Sequence, residues 1–335
     1  MKKKTCIAAC LSVVLLITFT ACPGRDAGEG RPVTLEIATM GMGSAWFAYG
    51  AILSELITGA LPPGSRVNIA PEAGAFANPI LVSRGEFPMG IGFNLSTAWA
   101  YNGEFAYDTA HRNLRGLVGY MDTMFYAAVV SRAFGITDLA EVARNRIPIR
   151  VSTVPVGGLG EIVTRMVFEY YGFTYADIKA WGGRVEHNDF STIIDMFKDG
   201  QTDFFLQNIN VGHAAVTELA ITTPVIFLRF PDSLINSFVS TYGFTPEIIP
   251  ANSFRGQTED IPTIGLTSIL FTNTDMPDDV AYAVVKGIVE NYEAMQRAHA
   301  AMARFSPHLA ADPVGLGVPL HPGAERFFRG AGLLP

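Results

Sequence analysis

The sequence predicts an α/β protein of two lobes joined by two crossover strands, with a ligand cleft between them. Three observations carry this. Short β-branched runs alternate with helix-length stretches of roughly 8 to 14 residues, the pattern of strand–helix units. The alternation then restarts after residue 137. Finally, 335 residues that are 49% hydrophobic, with 33 Gly and 20 Pro, are too apolar for disorder and supply the turns that such alternation needs.

In order, Val33–Thr39 reads as a strand and Gly41–Ser44 as a tight turn. Ala45–Thr58 is a helix stopped by Gly59, and Val67–Ala70 a strand. Asn78–Arg84 is a helix before Gly85, Met89–Phe93 a strand, and Thr97–Tyr101 a helical turn before Asn102-Gly103. Leu114–Gly119 and Phe125–Ser131 are strands, and the sheet is expected to be mostly parallel. Asp138 and Glu141 have capping-box spacing. Ile149–Val154 is a strand entering a second Gly turn at Gly157–Gly160. The helices Glu161–Tyr171, Ser191–Lys198 and Gly212–Ala220 and the strands Asp203–Gln207 and Val225–Arg229 complete the second unit. Beyond it, Gly265–Thr272 is one β-branched run, and Pro277 opens a long helix over Asp278–Arg304. The expected division is 32–124 with 223–335 as one lobe and 125–222 as the other, crossing near 124–131 and 223–229. Both Gly turns follow strands, so both would face the cleft.

The first 22 residues read separately. Met1–Lys4 is basic, Ile7–Thr20 is mostly apolar but short for a membrane span, and all three cysteines fall at Cys6, Cys10 and Cys22. Residues 1–22 therefore read as a signal peptide. Phe19-Thr20-Ala21-Cys22 resembles a bacterial lipobox, apart from Phe19 where leucine is usual. That resemblance implies cleavage before Cys22 and a lipid anchor on its thiol, with 23–31 as a flexible tether. Beyond Cys22 the lack of thiols excludes disulfides, cysteine-ligated zinc, iron–sulfur clusters and a thiol nucleophile.

The chain holds 24 basic and 31 acidic residues, a net charge of −7. Beyond the leader the only lysines are Lys179, Lys198 and Lys286. No basic run is present to neutralise phosphates, so nucleic acid is not an expected partner. His111, His187, His213, His299, His308 and His321 show no close ligand spacing, and no metal or cofactor is expected. His187 and Asp189 read as a surface loop. There is no G-x-S-x-G elbow, P-loop or dinucleotide fingerprint, and no acid/base pair stands out. What remains is the Gly158-Leu159-Gly160 turn, a helix N-terminus able to attract anions, and the aromatic group after the first Gly turn.

Several stretches together resemble the TAXI branch of TRAP-transporter solute receptors. They are Gly43–Leu53, Ala75–Gly85 with Ala100-Tyr101-Asn102-Gly103, and Val151–Arg165 with Lys198–Asp203. Further along come Ile249–Asn252 through Gly256-Gln257 and Asp260–Thr263, and then Leu320–Ala324. The resemblance spans residues 33–330 and implies a type II periplasmic-binding-protein fold. It also implies a non-enzymatic receptor that closes on a small solute and passes it to TRAP membrane permease subunits. On this basis the protein is expected to be exported, as a periplasmic or outer-surface lipoprotein. The alternative is a surface lipoprotein of the same fold serving adhesion or sensing.

At the family's binding positions the chain departs. Trp46-Phe47 replaces a tyrosine pair, and Ala75 a serine. Phe93 and Leu95 replace glutamine and aspartate around Asn94, and Leu159 the serine of Gly-Ser-Gly. Each change removes a hydrogen-bonding group, so a ligand less polar than glutamate or 2-oxoglutarate is expected. Trp46, Phe47, Phe76, Phe93 and Leu159 would enclose it, beside Gly43, Ser44, Ala75, Gly158 and Gly160. Asn78, Asn94, Ser96, Gln207 and Asn208 would orient it.

Overall fold

The computed structural model describes residues 31–42, 44–72 and 74–335. The leader, Cys22, the tether up to residue 30, and Gly43 lie outside them. The chain runs through β1 (Thr34–Ala38), α1 (Ala45–Ala60), β2 (Arg66–Ala70), α2 (Asn78–Ser83), β3 (Met89–Phe93), α3 (Asn94–Asn102) and β4 (Leu114–Val118). It continues through β5 (Met124–Ser131), α4 (Leu139–Asn145), β6 (Arg150–Thr153), α5 (Leu159–Tyr170), α6 (Tyr175–Ala180), β7 (Arg184–His187), α7 (Phe190–Lys198) and β8 (Phe204–Ile209). Next come α8 (Ala214–Thr222), β9 (Val225–Leu228), α9 (Asp232–Tyr242), β10 (Thr245–Ile249) and β11 (Ile261–Leu266). The last elements are β12 (Ser268–Asn273), α10 (Asp278–Val289), α11 (Tyr292–Ala298), α12 (Pro313–Leu316) and α13 (Pro322–Gly330).

Two sheets result, one ordered β2-β1-β3-β12-β4 and the other β10-β11-β5-β8-β6-β7, with β9 also paired to β5. The expected parallel pairing holds for β2-β1-β3 and for β8-β6-β7. The remaining ladders are antiparallel, so both sheets are mixed. The reversal arises where the chain changes sheet: β12 returns between β3 and β4, antiparallel to both.

The return comes later than the sequence suggests. β9, β10 and β11 stay in the second sheet, and the first regains the chain only at β12. The run Gly265–Thr272 is therefore two strands, broken at Thr267, where the chain crosses between sheets. The crossings sit at 119–124 and 266–268 rather than near 223–229, and they pair with each other through Gly265↔Phe125 and Leu266↔Met124. The expected helix over 278–304 is also divided. α10 ends at Val289, where Asn291 Nδ2 donates to Gly287 O at 2.8 Å, and α11 turns off to bury Met295. α1 and α10 cover one face of the first sheet. Gly287 permits their close approach, since a Cβ there would fall 2.7 Å from Leu56 O. Asp138 caps α4 through Ala140 N, while the reciprocal capping box forms at Thr174–Asp177 on α6, which the sequence reading does not mark.

One apolar cluster joins the lobes, running from Leu95 and Trp99 of α3 and Phe271 of β12 to Tyr126 of β5, Phe168 of α5 and Phe204 of β8. Among the described residues no helix is long and apolar enough to cross a membrane.

Candidate functional site

The two crossing segments meet at a buried carboxyl that the sequence reading missed. Asp122 Oδ1 accepts from Ser268 N at 2.8 Å, and its Oδ2 accepts from Tyr49 Oη at 3.0 Å. Thr267 Oγ1 donates to Asp122 O at 2.8 Å, and Met121 N to Ser268 O at 3.0 Å. Burial pushes the Asp122 carboxyl above the ordinary carboxylate range, against the bonds from Ser268 and Tyr49. These bonds tie both crossovers to α1. The available signal was a lone acid between two apolar strands.

Around this point several expected ligand contacts have structural roles. Trp46 is buried; its Nε1 donates to Ser268 Oγ at 2.9 Å and its ring meets Phe93 edge-on at 4.7 Å. Asn78 is fully buried and donates to the carbonyls of Ala38 (3.2 Å), Thr39 (2.7 Å) and Ile91 (2.9 Å), latching the end of β1 to the middle of β3. Asn94 is likewise buried. It donates to Gly243 O and Val314 O and accepts from Thr267 N at 3.1 Å. Ser96 Oγ bonds back to Phe93 O at 3.3 Å. The Ser44 hydroxyl caps α1 by accepting from Phe47 N at 3.1 Å. Ala75, Phe76 and Phe47 are half-buried; Ala75 packs on the first-sheet core and Phe76 on the shared cluster. The surface loop expected at His187 and Asp189 is the end of β7 and the N-cap of α7, and His187 Nδ1 pairs with Thr153 Oγ1 at 2.8 Å.

The second sheet differs. β6 delivers the chain into the Gly turn, and α5 starts at Gly158 with no side-chain cap. Among the described residues nothing accepts from the N–H groups of Leu159, Gly160 and Glu161, which leaves the positive end of a helix open. The β8 carboxyl end lies against this turn. Gln207 folds its amide onto Gly160, where a Cβ would fall 1.7 Å from Gln207 Oε1, so any larger residue there must displace that amide. Gln207 Oε1 accepts from Asn208 N at 2.8 Å. Asn208 is 6% exposed, yet its Oδ1 and Nδ2 are both buried without a partner. Its cross-strand neighbour Tyr126 on β5 reaches Thr164 Oγ1 on α5 at 2.8 Å, and Thr164 Oγ1 also lies 3.3 Å from Leu206 O of β8, which fixes α5 over both strands. Glu161 accepts from Gly157 N at 3.2 Å and pairs with Arg165 at 2.8 Å, closing the outer side of the turn. Leu159 is half-buried over the shared cluster. The candidate site thus combines three open N–H donors at the start of α5 with an unpaired buried amide one residue beyond the Gln207 that meets Gly160.

Among the described residues no group of three or more His, Cys, Asp or Glu could hold a metal ion.

A model of the NMT1-like family matches residues 37–332. The chain belongs to the NMT1-like family. Among solved structures, a TctC solute-binding protein from Polaromonas, without ligand, superposes on this NMT1-like chain with a TM-score of 0.53. The identity is 12%, over 79% of this chain and 87% of that one. A protein from Xanthomonas citri bound to ATP gives a TM-score of 0.50 at 9% identity, over 90% of this chain and 96% of that one. At these identities the likeness is one of fold. This NMT1-like protein has the two-lobed α/β architecture of periplasmic solute-binding proteins.

Proposed function

We propose that this NMT1-like protein is an exported solute receptor that binds a small organic molecule between its lobes and makes or breaks no bond. The observation that carries the reading is Asn208. A buried amide with neither end paired costs about 1–3 kcal/mol, and this one directly follows Gln207, whose amide meets Gly160 in the first turn of α5. A ligand that accepts from the open N–H groups of that turn and bonds the Asn208 amide removes that cost when the lobes close about the Asp122 junction. The favoured ligand is an organic acid with an apolar body, its carboxylate on α5 and its body over Leu159 and Phe47. The sequence resemblance further supports delivery to TRAP permease subunits from a lipid-anchored position.

Thermal-shift titration with apolar monocarboxylates, glutamate and 2-oxoglutarate tests this. The apolar acids are expected to stabilise the protein, and Asn208→Leu is expected to weaken their binding roughly 5- to 100-fold. Gly160→Ala should also weaken it, by displacing the Gln207 amide. Tight binding of glutamate with no response to apolar acids would sink the ligand class. Undiminished affinity in Asn208→Leu would sink the site.

A further inference from the structure

We propose that the groove between α3, α5 and α9 is a second ligand site, taking a neutral planar aromatic molecule. The proposal stands independently of the α5 N-terminal site. The groove encloses about 360 Å³, within the range of small-molecule pockets. Trp99, Phe105 and Tyr242 line one wall, and Ile162 and Met166 of α5 the other, with Arg165 at the rim. The Phe105 ring centroid lies 4.7 Å from Trp99 and 5.4 Å from Tyr242, so three rings form a continuous aromatic wall. Trp99 is held in place by its Nε1, which donates to Tyr242 O at 3.0 Å.

Phe105 is the informative residue. It is 55% exposed, at a turn position with φ of 55°. That is a left-handed conformation that glycine adopts freely and phenylalanine rarely does. One edge of the ring packs on Trp99 and Tyr242, yet more than half of the residue stays exposed in an unfavourable backbone geometry, and that exposed part faces the groove. A planar ring stacked there would cover all three aromatics, and the Met166 thioether suits the opposite face. The chemistry disfavours an acid. Arg165 is engaged by Glu161 at 2.8 Å, so this cation is not free to pair with one, and the Glu169 carboxylate also lines the groove; the stacking wall itself needs no charge on its occupant. α3 follows the first sheet, whereas α5 and α9 follow strands of the second, so an occupant would touch both lobes.

Titration of the protein with N-phenyl-1-naphthylamine, read by probe fluorescence and quenching of tryptophan emission, provides the test. One-site saturable binding is expected. Phe105→Gly and Met166→Lys should each weaken it at least tenfold. Far-UV circular dichroism and thermal melting of both variants, with each required to be folded at the titration temperature, separate lost binding from unfolding. Asn208→Leu and Gly160→Ala should leave probe affinity unchanged. Equal affinity in both groove variants overturns the proposal. So does loss of probe binding in Asn208→Leu, which would place the aromatic molecule at the α5 N-terminus instead.

Discussion

Asn78 and Asn94 on the first-sheet side and Asn208 on the second are the same side chain, each almost wholly buried, in opposite states. The first two have their amides occupied by backbone: Asn78 gathers three carbonyls, and Asn94 ties α3 to Gly243, Val314 and Thr267. Asn208 bonds nothing through its side chain. A satisfied buried amide fixes a fold, whereas an unsatisfied one destabilises the empty protein and stabilises whatever complex pairs it. The first sheet thus presents a rigid frame, and the second carries the unfilled polar corner.

This contrast can be broken by measurement. Asn78→Ala should have the largest effect, a loss of about 3 kcal/mol or more in urea denaturation, since it strips three buried carbonyls of a donor. Asn94→Ala should cost about 2 kcal/mol by the same route. Asn208→Leu should cost nothing within about 0.5 kcal/mol, or gain up to about 1 kcal/mol, because it removes an unpaired group. A loss in Asn208→Leu as large as in Asn78→Ala would erase the distinction.

The smallest effect concerns the junction between the lobes. Burial raises the Asp122 carboxyl above its ordinary value of 3.8. The native state then holds a proton more tightly than the unfolded chain, so stability from this group falls as pH rises from about 3.8 through the native value. Asp122→Asn keeps an acceptor for Ser268 N and removes that dependence. It should match or exceed the parent at pH 7 to 8, by about 1 kcal/mol or less, with the difference closing toward pH 4. A variant less stable than the parent across this range would show that the charge itself holds the junction.

Many of the stretches that suggested a family are structural. Gln257 organises the loop before β11, donating to Pro250 O and Glu259 O and accepting from Ser253 N. His321 caps α13 by accepting from Gly323 N at 3.1 Å. Gly103 ends α3 with φ of 73°. Such residues can be read from a sequence because caps and turns are local. The roles of Asn78 and Asn94 could not be read this way, because their partners lie as far away as residues 39, 243, 267 and 314.

By itself the sequence determined the alternation of strands and helices, the two Gly turns, the α/β class and the absence of thiols beyond residue 22. Those properties depend on periodicity, backbone freedom at glycine and composition, which act over a few residues. The tertiary structure alone decided where the chain crosses between sheets, that Asp122 lies at the crossing, and which buried amides are occupied. Each of these depends on which distant carbonyl or N–H group folding brings within about 3 Å, a distance that no local pattern encodes.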